Sequence, residues 1–496
     1  MPKRSRSVTP ESTTSTTIVS DKSKVQVDDG VDMSLLTTFR DKFNEDKTNK
    51  LIQNGLCNGD LDDIAEVREY MQSLDFTFSN SIEPELQVTN QGLSGKCWVY
   101  SCLNVLRHEI IRQFQLPRDF ELSEAYLGFW DKLERCNYVL SYFTKKDNID
   151  YSNLHELSLL QSGCSDGGLR ITCVNLIKKY GIIAKTSYRE SNNSYDTEEL
   201  VDYLNTKTRE YSMELMRMEK SQRSKAKTEM LNEIFNFLAK MLGTPPLPNE
   251  KVNWSYDVFM DIDERLERVK RRRQNDDKYE NLQLKRSLSI TPLEFYEKFV
   301  VHNLEDYVYL TNDPRNPYHK YYVSYHDNVV VDGQKHGYYN VTMDEMAKYA
   351  MRSILDNTPV EFSCDVAKYN KPGDELLDIK CFNYDMLFGT TLQKLEKADR
   401  IRCLDSQATH AMVLVGVDLD AKRQPIKWKV ENSWSAMNIF KAGGSPGYYT
   451  MANDWFNEYG FDVVVHRKYC DKKFLTAYDK AFQNAVVLPE NDPMSE

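Results

Sequence analysis

The chain has 496 residues, of which 41% are hydrophobic and 28% charged, so it is long enough for about three domains with well-filled cores. Its net charge of −11 argues against a general affinity for nucleic acid. No run of 18 apolar residues occurs, so we expect no membrane-spanning helix. The ten cysteines include no CxxC pair and the eight histidines no HExxH motif. We therefore expect free thiols, no metal site and no requirement for a cofactor.

The first 90 residues divide into two parts. Ten of residues 5–20 are Ser or Thr, which is typical of disorder, so residues 1–30 are predicted to form a disordered leader. The start of the chain lacks the apolar core of a secretion signal, and we therefore expect a cytoplasmic protein. Residues 31–90 carry short amphipathic stretches such as "MSLLTTFRDKFNEDKTNKLI", which predict a helical N-terminal arm.

One helix is predicted on each side of Pro117. From Cys97 to about residue 115, apolar residues recur at helical spacing (positions 99, 102, 103, 106 and 110), and no Gly or Pro interrupts them. The stretch "ELSEAYLGFWDKLERCNYVLSYF" at 121–143 predicts a second helix. This half of the chain is therefore expected to be mainly helical.

A strongly charged region follows from about residue 200 to 300, and its pattern also predicts helix. Nine basic and seven acidic side chains occur within residues 261–286, including a basic cluster from Lys270 to Arg273. Mixed charge of this kind is typical of a solvated surface helix. A patch that contacts nucleic acid is the alternative interpretation of the cluster.

Beyond about residue 320 the pattern turns to strands. "HAMVLVGVD" (410–418) and "IKWKVENSW" (426–434) are β-like runs joined by "LDAKRQP", which indicates a hairpin. A helical half followed by a β half predicts an α+β fold.

Cys97 stands where the turn-forming stretch "TNQGLSGK" runs into a helix, and three interpretations compete. A phosphate-binding loop is excluded by spacing, because Asn90 occupies the place of its first glycine. A nucleophile is favoured by the helix N-terminus, whose free amides and dipole stabilise a thiolate. An ordinary buried thiol is the remaining alternative. It is our interpretation of Cys102, on the apolar face of the same helix.

The predicted hairpin contains a candidate base for the Cys97 thiol. His410 and Asn432 lie symmetrically about residue 421, inside the predicted turn, so they are expected to face each other across two antiparallel strands. An Asn oxygen that accepts from the ring N–H would fix the tautomer and aim the other ring nitrogen at Cys97. Gln91 and the Cys97 backbone amide are candidate oxyanion donors. Trp434 is a candidate shield for the His–Asn bond.

The segments "QGLSGKCW", "HAM" and "ENSW" together resemble the papain-like cysteine proteases. The segment "GCSDGGL" is similar to that family's Gly-Gly stretch, whose backbone pairs with substrate. The resemblance therefore implies substrate binding at Gly167 and Gly168, where a side chain would obstruct the backbone. It also implies a Cys97–His410–Asn432 catalytic triad.

The distance from Cys97 to His410 is 410 − 97 = 313 residues, whereas papain relatives have about 130 to 150. So long a gap resembles the cytosolic branch of bleomycin hydrolase and bacterial aminopeptidase C, which carries a large helical insertion. "SEAYLGFWDKLERC", "NDPRNPYHKYY" and "VLPENDPM" also fit that branch. The resemblance implies a thiol-dependent aminopeptidase that acts on peptides as a homohexamer, with a C-terminal arm entering the active-site cleft.

Two departures from the branch matter for the site. Ser435 replaces the glycine expected after "NSW". Only two residues, ending at Glu496, follow "NDPM", about two fewer than expected. If the terminal carboxylate meets the substrate's amino group, a carboxylate set back by about 6–7 Å of extended chain would leave room for a longer product. Release of dipeptides rather than single residues is then expected.

The sequence thus predicts a papain-like α+β fold with a large, mainly helical insertion. The predicted parts are a leader (1–30), an N-terminal arm (31–90), a helical half with the nucleophile (91–200), a helical insertion for oligomerisation (201–360), a β half with His410 and Asn432 (361–475) and a C-terminal arm (476–496). Two alternatives stay open: an endopeptidase of cathepsin type, and a non-catalytic scaffold that binds nucleic acid.

Overall fold

A computed structural model describes residues 30–257, 285–324, 329–335, 337–435, 445–489 and 492–494. Its helices are α1 Met33–Glu45, α2 Lys47–Leu56, α3 Leu61–Ala65, α4 Arg68–Ser73, α5 Cys97–Phe114, α6 Glu124–Phe143, α7 Leu154–Ser162, α8 Arg170–Tyr180, α9 Asn192–Tyr195, α10 Glu198–Arg217, α11 Lys220–Leu242, α12 Pro292–Phe299, α13 Met343–Leu355, α14 Tyr384–Phe388, α15 Lys397–Arg402, α16 Asn453–Tyr459 and α17 Lys472–Gln483. Its strands are β1 Asn80–Ser81, β2 Val252–Asp257, β3 Lys285–Ile290, β4 Tyr307–Thr311, β5 Tyr321–Val323, β6 Gly337–Asn340, β7 Val360–Cys364, β8 Asn370–Lys371, β9 Leu376–Leu377, β10 His410–Leu419, β11 Pro425–Glu431, β12 Tyr448–Ala452, β13 Gly460–His466 and β14 Val486–Val487.

Several predictions lie outside the described residues. These are the leader up to residue 29, the charged helix within 258–284 with its Lys270–Arg273 cluster, and the terminal Glu496. No helix in the described ranges has the length and apolarity needed to cross a membrane.

The chain divides into two compact units, residues 1–64 and 65–496. In the first unit, α1 and α2 each begin after an aspartate whose side chain caps the helix. Asp32 accepts from the Ser34 amide and Asp46 from the Thr48 amide, both at 2.8 Å. Such caps satisfy amides that a helix start leaves unpaired. The helical character predicted for this part of the arm is confirmed.

The helical part of the second unit contains both predicted helices. All five apolar positions of α5 named above are buried, at 5% exposure or less, which confirms its predicted inner face. Helix α6 starts at Glu124, three residues later than predicted, because the Ser123 hydroxyl caps it by accepting from the Tyr126 amide at 3.1 Å. Buried side chains of α5, α6, α8, α10 and α11 share one hydrophobic core.

Strands of the second unit form a large mixed sheet. Within the described residues its order is β14-β5-β6-β4-β13-β7-β10-β11-β12-β9-β8, with β1 paired to β10. The predicted hairpin is present as β10 and β11. The sheet places β10, which begins at His410, between β7 and β11. A helical layer and a large sheet confirm the predicted mixture of helix and strand.

The region predicted as a helical insertion, 201–360, differs from that prediction in part. Helices α10 and α11 are present, but β2 and β3 then form a separate hairpin, and β4, β5 and β6 belong to the large sheet. The strands coincide with runs rich in aromatic and β-branched residues, such as "VNWSYD", "YVYLT" and "GYYN". Such side chains favour the pleated surface of a sheet, and in β2 the charge pattern of residues 200–300 concealed them.

Candidate active site

Cys97 is the first residue of α5, as predicted. The preceding residue, Lys96, gives the helix no side-chain cap, and the first turn contains no acidic residue. The dipole and free amides of this end of the helix therefore act on the thiol without a competing carboxylate, which favours the thiolate. Cys97 is half-buried, whereas Cys102 on the same helix is fully buried. Cys102 is thus a packing residue, as predicted.

His410 and Asn432 are directly hydrogen-bonded. The distance from His410 Nε2 to Asn432 Oδ1 is 2.9 Å. The same oxygen accepts from the Ser433 amide at 2.8 Å, which fixes the orientation of the carboxamide. Since that oxygen only accepts, Nε2 carries the ring hydrogen and Nδ1 is the basic nitrogen. This is the tautomer that the sequence predicted.

The predicted pairing of His410 with Asn432 directly across the hairpin is wrong. The innermost pair of the hairpin, Leu419 with Pro425, centres the turn on residue 422 rather than 421, so opposing positions move by two residues. The last pair is Val413 with Glu431, and Asn432 lies just beyond the end of β11. Asn432 therefore reaches His410 obliquely, from the chain that follows the strand.

Trp434, the candidate shield, lies against His410. The two rings are stacked with centroids 4.6 Å apart and an interplanar angle of 27°. His410 is only 6% exposed. Burial lowers the pKa of His410 to about 4, although the hydrogen bond to Asn432 acts in the opposite direction. The imidazole is consequently neutral near pH 7 and able to accept a proton.

The loop before Cys97 is bound to the segment after Asn432. The Gln91 amide donates to the Ser433 carbonyl at 2.7 Å, and the Ser435 amide donates to the Thr89 carbonyl at 3.1 Å. Between them, Asn90 and Trp434 form an antiparallel bridge. These contacts hold the loop around residue 91 beside the segment around residue 432, which is itself bonded to His410.

The position of Cys97 relative to this group follows from Cys364. Cys364 is the register partner of His410 on the neighbouring strand β7. Burial is the main cause that raises the pKa of Cys364, and the negative charges of Asp365, Asp462 and Cys97 add to it. The thiol of Cys97 is therefore within electrostatic range of Cys364, the neighbour of His410 across the sheet.

Gln91 is buried, and its carboxamide is held at both ends. Its Nε2 donates to the Ser94 carbonyl at 2.7 Å, and its Oε1 accepts from the Ser433 hydroxyl at 2.6 Å. An amide nitrogen has two hydrogens, so one of them is directed at Ser94. Ser433 was not predicted as a site residue, although it lies within the quoted "ENSW" segment.

Gly167 and Gly168 pack beside the Cys97 loop. The Gly167 amide donates to the Gly95 carbonyl at 3.1 Å, and the Gly95 amide donates to Asp166 Oδ2 at 2.8 Å. At Gly168, where φ is +156°, a Cβ would lie 2.7 Å from the Trp98 ring. At Gly167, where φ is +89°, a Cβ would meet no atom within 4 Å. Gly168 thus avoids a clash within the protein, whereas Gly167 borders open space.

A cavity adjoins these residues. Trp98, which follows Cys97, and Ala411, which follows His410, both line it, together with Gly168. Pro493 and Met494 line it as well. The C-terminal segment therefore reaches the same cavity, although the predicted contribution of Glu496 lies outside the described residues.

Within the described ranges, no three His, Cys, Asp or Glu side chains are grouped so as to hold a metal ion. The chemistry available to the site is that of a thiol, an imidazole, a carboxamide and backbone amides. A thiol activated by a neutral histidine is suited to nucleophilic attack on a carbonyl carbon.

The chain is similar to several known proteins along nearly its whole length. The model of the Peptidase C1-like family matches residues 30–495. Bleomycin hydrolase of Rattus norvegicus is 34% identical over 483 residues, covering 94% of this chain and 98% of that protein. Aminopeptidase C of Listeria innocua is 31% identical over 465 residues, covering 92% and 97%. The crystal structure of PepW from Lactobacillus rhamnosis superposes with a TM-score of 0.83 at 30% identity, covering 94% and 99% of the two chains. This chain belongs to the Peptidase C1-like family.

Proposed function

We propose that this protein is a cysteine aminopeptidase that removes N-terminal residues from peptides through Cys97, His410 and Asn432. The observation that carries the proposal is the 2.9 Å bond between His410 and Asn432, which leaves Nδ1 as the basic nitrogen of the ring. Relatives along nearly the whole chain bear the names bleomycin hydrolase and aminopeptidase C. Peptides are accordingly the proposed substrates.

The proposed reaction has two steps. Cys97 transfers its proton to His410 Nδ1 and its sulfur bonds to the peptide carbonyl carbon, and the C–N bond breaks as the leaving amine takes the proton from His410. Water, deprotonated by His410, then attacks the thioester and releases the acyl group from Cys97. Asn432 keeps the imidazole oriented throughout, and Trp434 excludes water from their bond.

Oxyanion stabilisation is assigned to the Cys97 backbone amide and to Gln91. The Cys97 amide belongs to the start of α5, where helical amides have no intrahelical acceptor. The second hydrogen of Gln91 Nε2, beside the one directed at Ser94, is the other proposed donor. The backbone of Gly167 and Gly168 is proposed to bind the substrate, because a residue at Gly167 would extend into the open space there.

The C-terminal arm, 476–496, is proposed to restrict cleavage to the ends of chains. Pro493 and Met494 line the cavity next to Ala411, which supports a role for the arm at the site. A carboxylate of Glu496 is proposed to pair with the substrate ammonium, and release of dipeptides is the expected result. Masses of the products of a defined decapeptide test this: steps of two residues support it, and strict one-residue steps contradict it.

Assembly and location complete the proposal. We propose a cytoplasmic homohexamer in which residues 201–360, as an insertion into the papain-like fold, contribute to the contacts between subunits. Nothing in the described residues favours the nucleic-acid scaffold, whose basic cluster lies outside them.

The decisive experiment compares the wild type and Cys97→Ala on two peptides of one sequence, one with a free amino terminus and one acetylated. We expect the wild type to cut the free peptide from its N-terminus and the variant to lose at least about 1,000-fold in kcat. Cys57→Ala, at an exposed cysteine, is the matched control and should keep full activity. Rapid internal cleavage of the acetylated peptide would instead indicate the endopeptidase.

A further inference from the structure

Two buried thiols lie in contact close to the Gly167–Gly168 segment. Cys136 belongs to α6, and Cys164 lies in the turn between α7 and α8. Both are free thiols with 0% exposure, and their sulfur atoms are 3.3 Å apart. The sulfurs of a disulfide are about 2.05 Å apart, so a movement of about 1.3 Å would bring this pair to bonding distance. Neither thiol takes part in the reaction proposed above.

The surroundings of Cys164 favour its thiolate. Its sulfur lies 3.7 Å from the Thr208 hydroxyl, and the Lys132 ammonium lies 3.5 Å from its carbonyl oxygen. The hydrogen bond with Cys136 is the largest cause that lowers the pKa of Cys164, and Thr208 and Lys132 help it to outweigh burial. The same bond and burial raise the pKa of Cys136. Since the thiolate is the reactive form, Cys164 is the member of the pair that an oxidant attacks first.

Helix α6 also holds the residues that follow Cys164. Lys132 pairs with Asp166 at 2.6 Å. Arg135 donates to the Gly167 carbonyl, and its own orientation is fixed by Asp131, whose two oxygens accept from Nε at 2.9 and 3.0 Å. The turn of α6 that carries Cys136 therefore sets the position of the Gly167 backbone.

A displacement of Cys164 would be transmitted to the nucleophile loop. The Gly167 amide donates to the Gly95 carbonyl, and Asp166 accepts from the Gly95 amide. Cys136 lies within a 20-residue helix and Cys164 in a turn, so we expect the turn to take up most of the movement that bonding requires. A shift of about 1 Å in groups that position substrate can cost about 100-fold in rate.

We propose that Cys136 and Cys164 form a redox modification site, at which a peroxide produces a reversible disulfide that weakens peptide binding at Gly167 and Gly168. Bond formation is independent of the proposed peptidase function, whereas the effect on peptide binding rests on it.

The proposed oxidation has two steps. The Cys164 thiolate attacks one oxygen of hydrogen peroxide, the O–O bond breaks, and a sulfenic acid forms as hydroxide leaves. The Cys136 sulfur then attacks the Cys164 sulfur, the S–O bond breaks, and a second hydroxide leaves. The protons of the two thiols convert both hydroxides into water. Two thiols are thus oxidised to one disulfide, and one peroxide is reduced to two waters.

The test uses Cys97→Ala, in which peroxide cannot oxidise the nucleophile and a bound peptide is not cut. Mass spectrometry of the digested protein after peroxide treatment should show the peptides of Cys136 and Cys164 linked, with the loss of two hydrogen atoms. Calorimetry should show that the oxidised protein binds a decapeptide with a free amino terminus about 10-fold more weakly, which corresponds to the loss of about one hydrogen bond. Dithiothreitol should restore the affinity.

Two further variants assign the effect to this pair. Adding Cys164→Ser to Cys97→Ala should abolish both the link and the loss of affinity. The matched control adds Cys173→Ser, at a buried thiol that is hydrogen-bonded to Cys102, and should respond to peroxide as Cys97→Ala does. If the Cys164 variant does not fold, as judged by its thermal unfolding, Cys136→Ser takes its place.

Absence of the link between Cys136 and Cys164 after peroxide treatment would overturn the proposal. An affinity that the link leaves unchanged would overturn it as well. If reduced Cys97→Ala bound no peptide, the proposed peptidase and the effect on binding would both fail, whereas the bond itself would still be judged by mass spectrometry.

Discussion

Ser435 replaces the glycine expected after "NSW", and this replacement affects the backbone. Its φ is +59°, in the left-handed region that favours glycine, and its amide donates to the Thr89 carbonyl next to the Cys97 loop. Side chains in this region cost about 1–2 kcal/mol, part of which glycine returns through the greater freedom of the unfolded chain. Ser435→Gly should therefore stabilise the protein by about 0.5–1 kcal/mol, measured by urea unfolding. The control Ser224→Gly, on the exposed face of α11, should be destabilising by a similar amount.

His410 gives the stability of the protein a definite dependence on pH. Its folded pKa of about 4 lies below the ordinary value of 6.5, so the unfolded chain binds the proton more readily between these values. Stability is lost as pH falls from about 6.5 to about 4, by about 3 kcal/mol at 1.36 kcal/mol per pKa unit. We expect Cys97→Ala to show this loss and Cys97→Ala with His410→Gln to lack it. Urea unfolding of both at pH 7 and pH 4 measures the difference. Parallel losses in the two variants would mean that His410 is not buried in its neutral form.

One buried ion pair joins the helix of Cys97 to the strand before Asn432. Glu431, the last residue of β11, accepts from Arg107 of α5 at 2.5 Å, and its other oxygen lies 2.8 Å from His108 Nε2. Burial opposes ionisation of Glu431, but Arg107 and His108 together outweigh it and the pKa of Glu431 is lowered. Removing one partner leaves an uncompensated buried charge, which costs about 3–5 kcal/mol.

Glu431→Gln should therefore lower the free energy of unfolding by about 3 kcal/mol. The matched control is Glu210→Gln, whose partner Lys207 is exposed, and it should cost less than about 1 kcal/mol. Urea unfolding again supplies the measurement. Equal costs for the two variants would show that the Arg107 pair does not hold α5 to β11.

An element could be predicted well where a short stretch of sequence determines it, and less well where pairing with a distant segment does. The start of α5 at Cys97 and the two strands of the hairpin follow from short-range patterns, and both are present. The turn centre was missed by one residue, because nothing in "LDAKRQP" fixes which residues pair last. The side chains of His410 and Asn432 still meet, since the chain beyond β11 bends towards His410. Strand β4 was missed because its partner β13 lies far away in sequence. Strands β5 and β6 lie beyond residue 320, where the pattern indicated strands, although the helical insertion was predicted to continue to residue 360.

The residues that line the cavity next to Trp98 and Ala411 could not be predicted from any single segment of the sequence. Asp462, Ser363 and Ala411 come from three strands whose register is set by the complete sheet, and none belongs to a recognisable motif. Gln91 was predicted from its spacing to Cys97, but its bonds to Ser94 and Ser433 depend on the folded loop. Spacing therefore identifies residue types near the nucleophile, whereas tertiary pairing decides which atoms remain for substrate.

Helix α1, in the first unit, offers a test of the proposed assembly. Helix α1 buries no side chain, and Leu35, Leu36, Phe39 and Phe43 are 40–52% exposed. Large apolar side chains grouped on one exposed helix are typical of a surface that another protein covers. We expect analytical ultracentrifugation to give about 350 kDa, six times 57.9 kDa. Substituting Phe39 and Phe43 with Asp should shift the protein towards smaller species, because two charges cannot be buried without partners. Lys225→Ser, at an exposed position of α11, should leave the mass unchanged. A wild-type mass near that of a single chain would contradict the hexamer, and the residues of α1 would then need another partner.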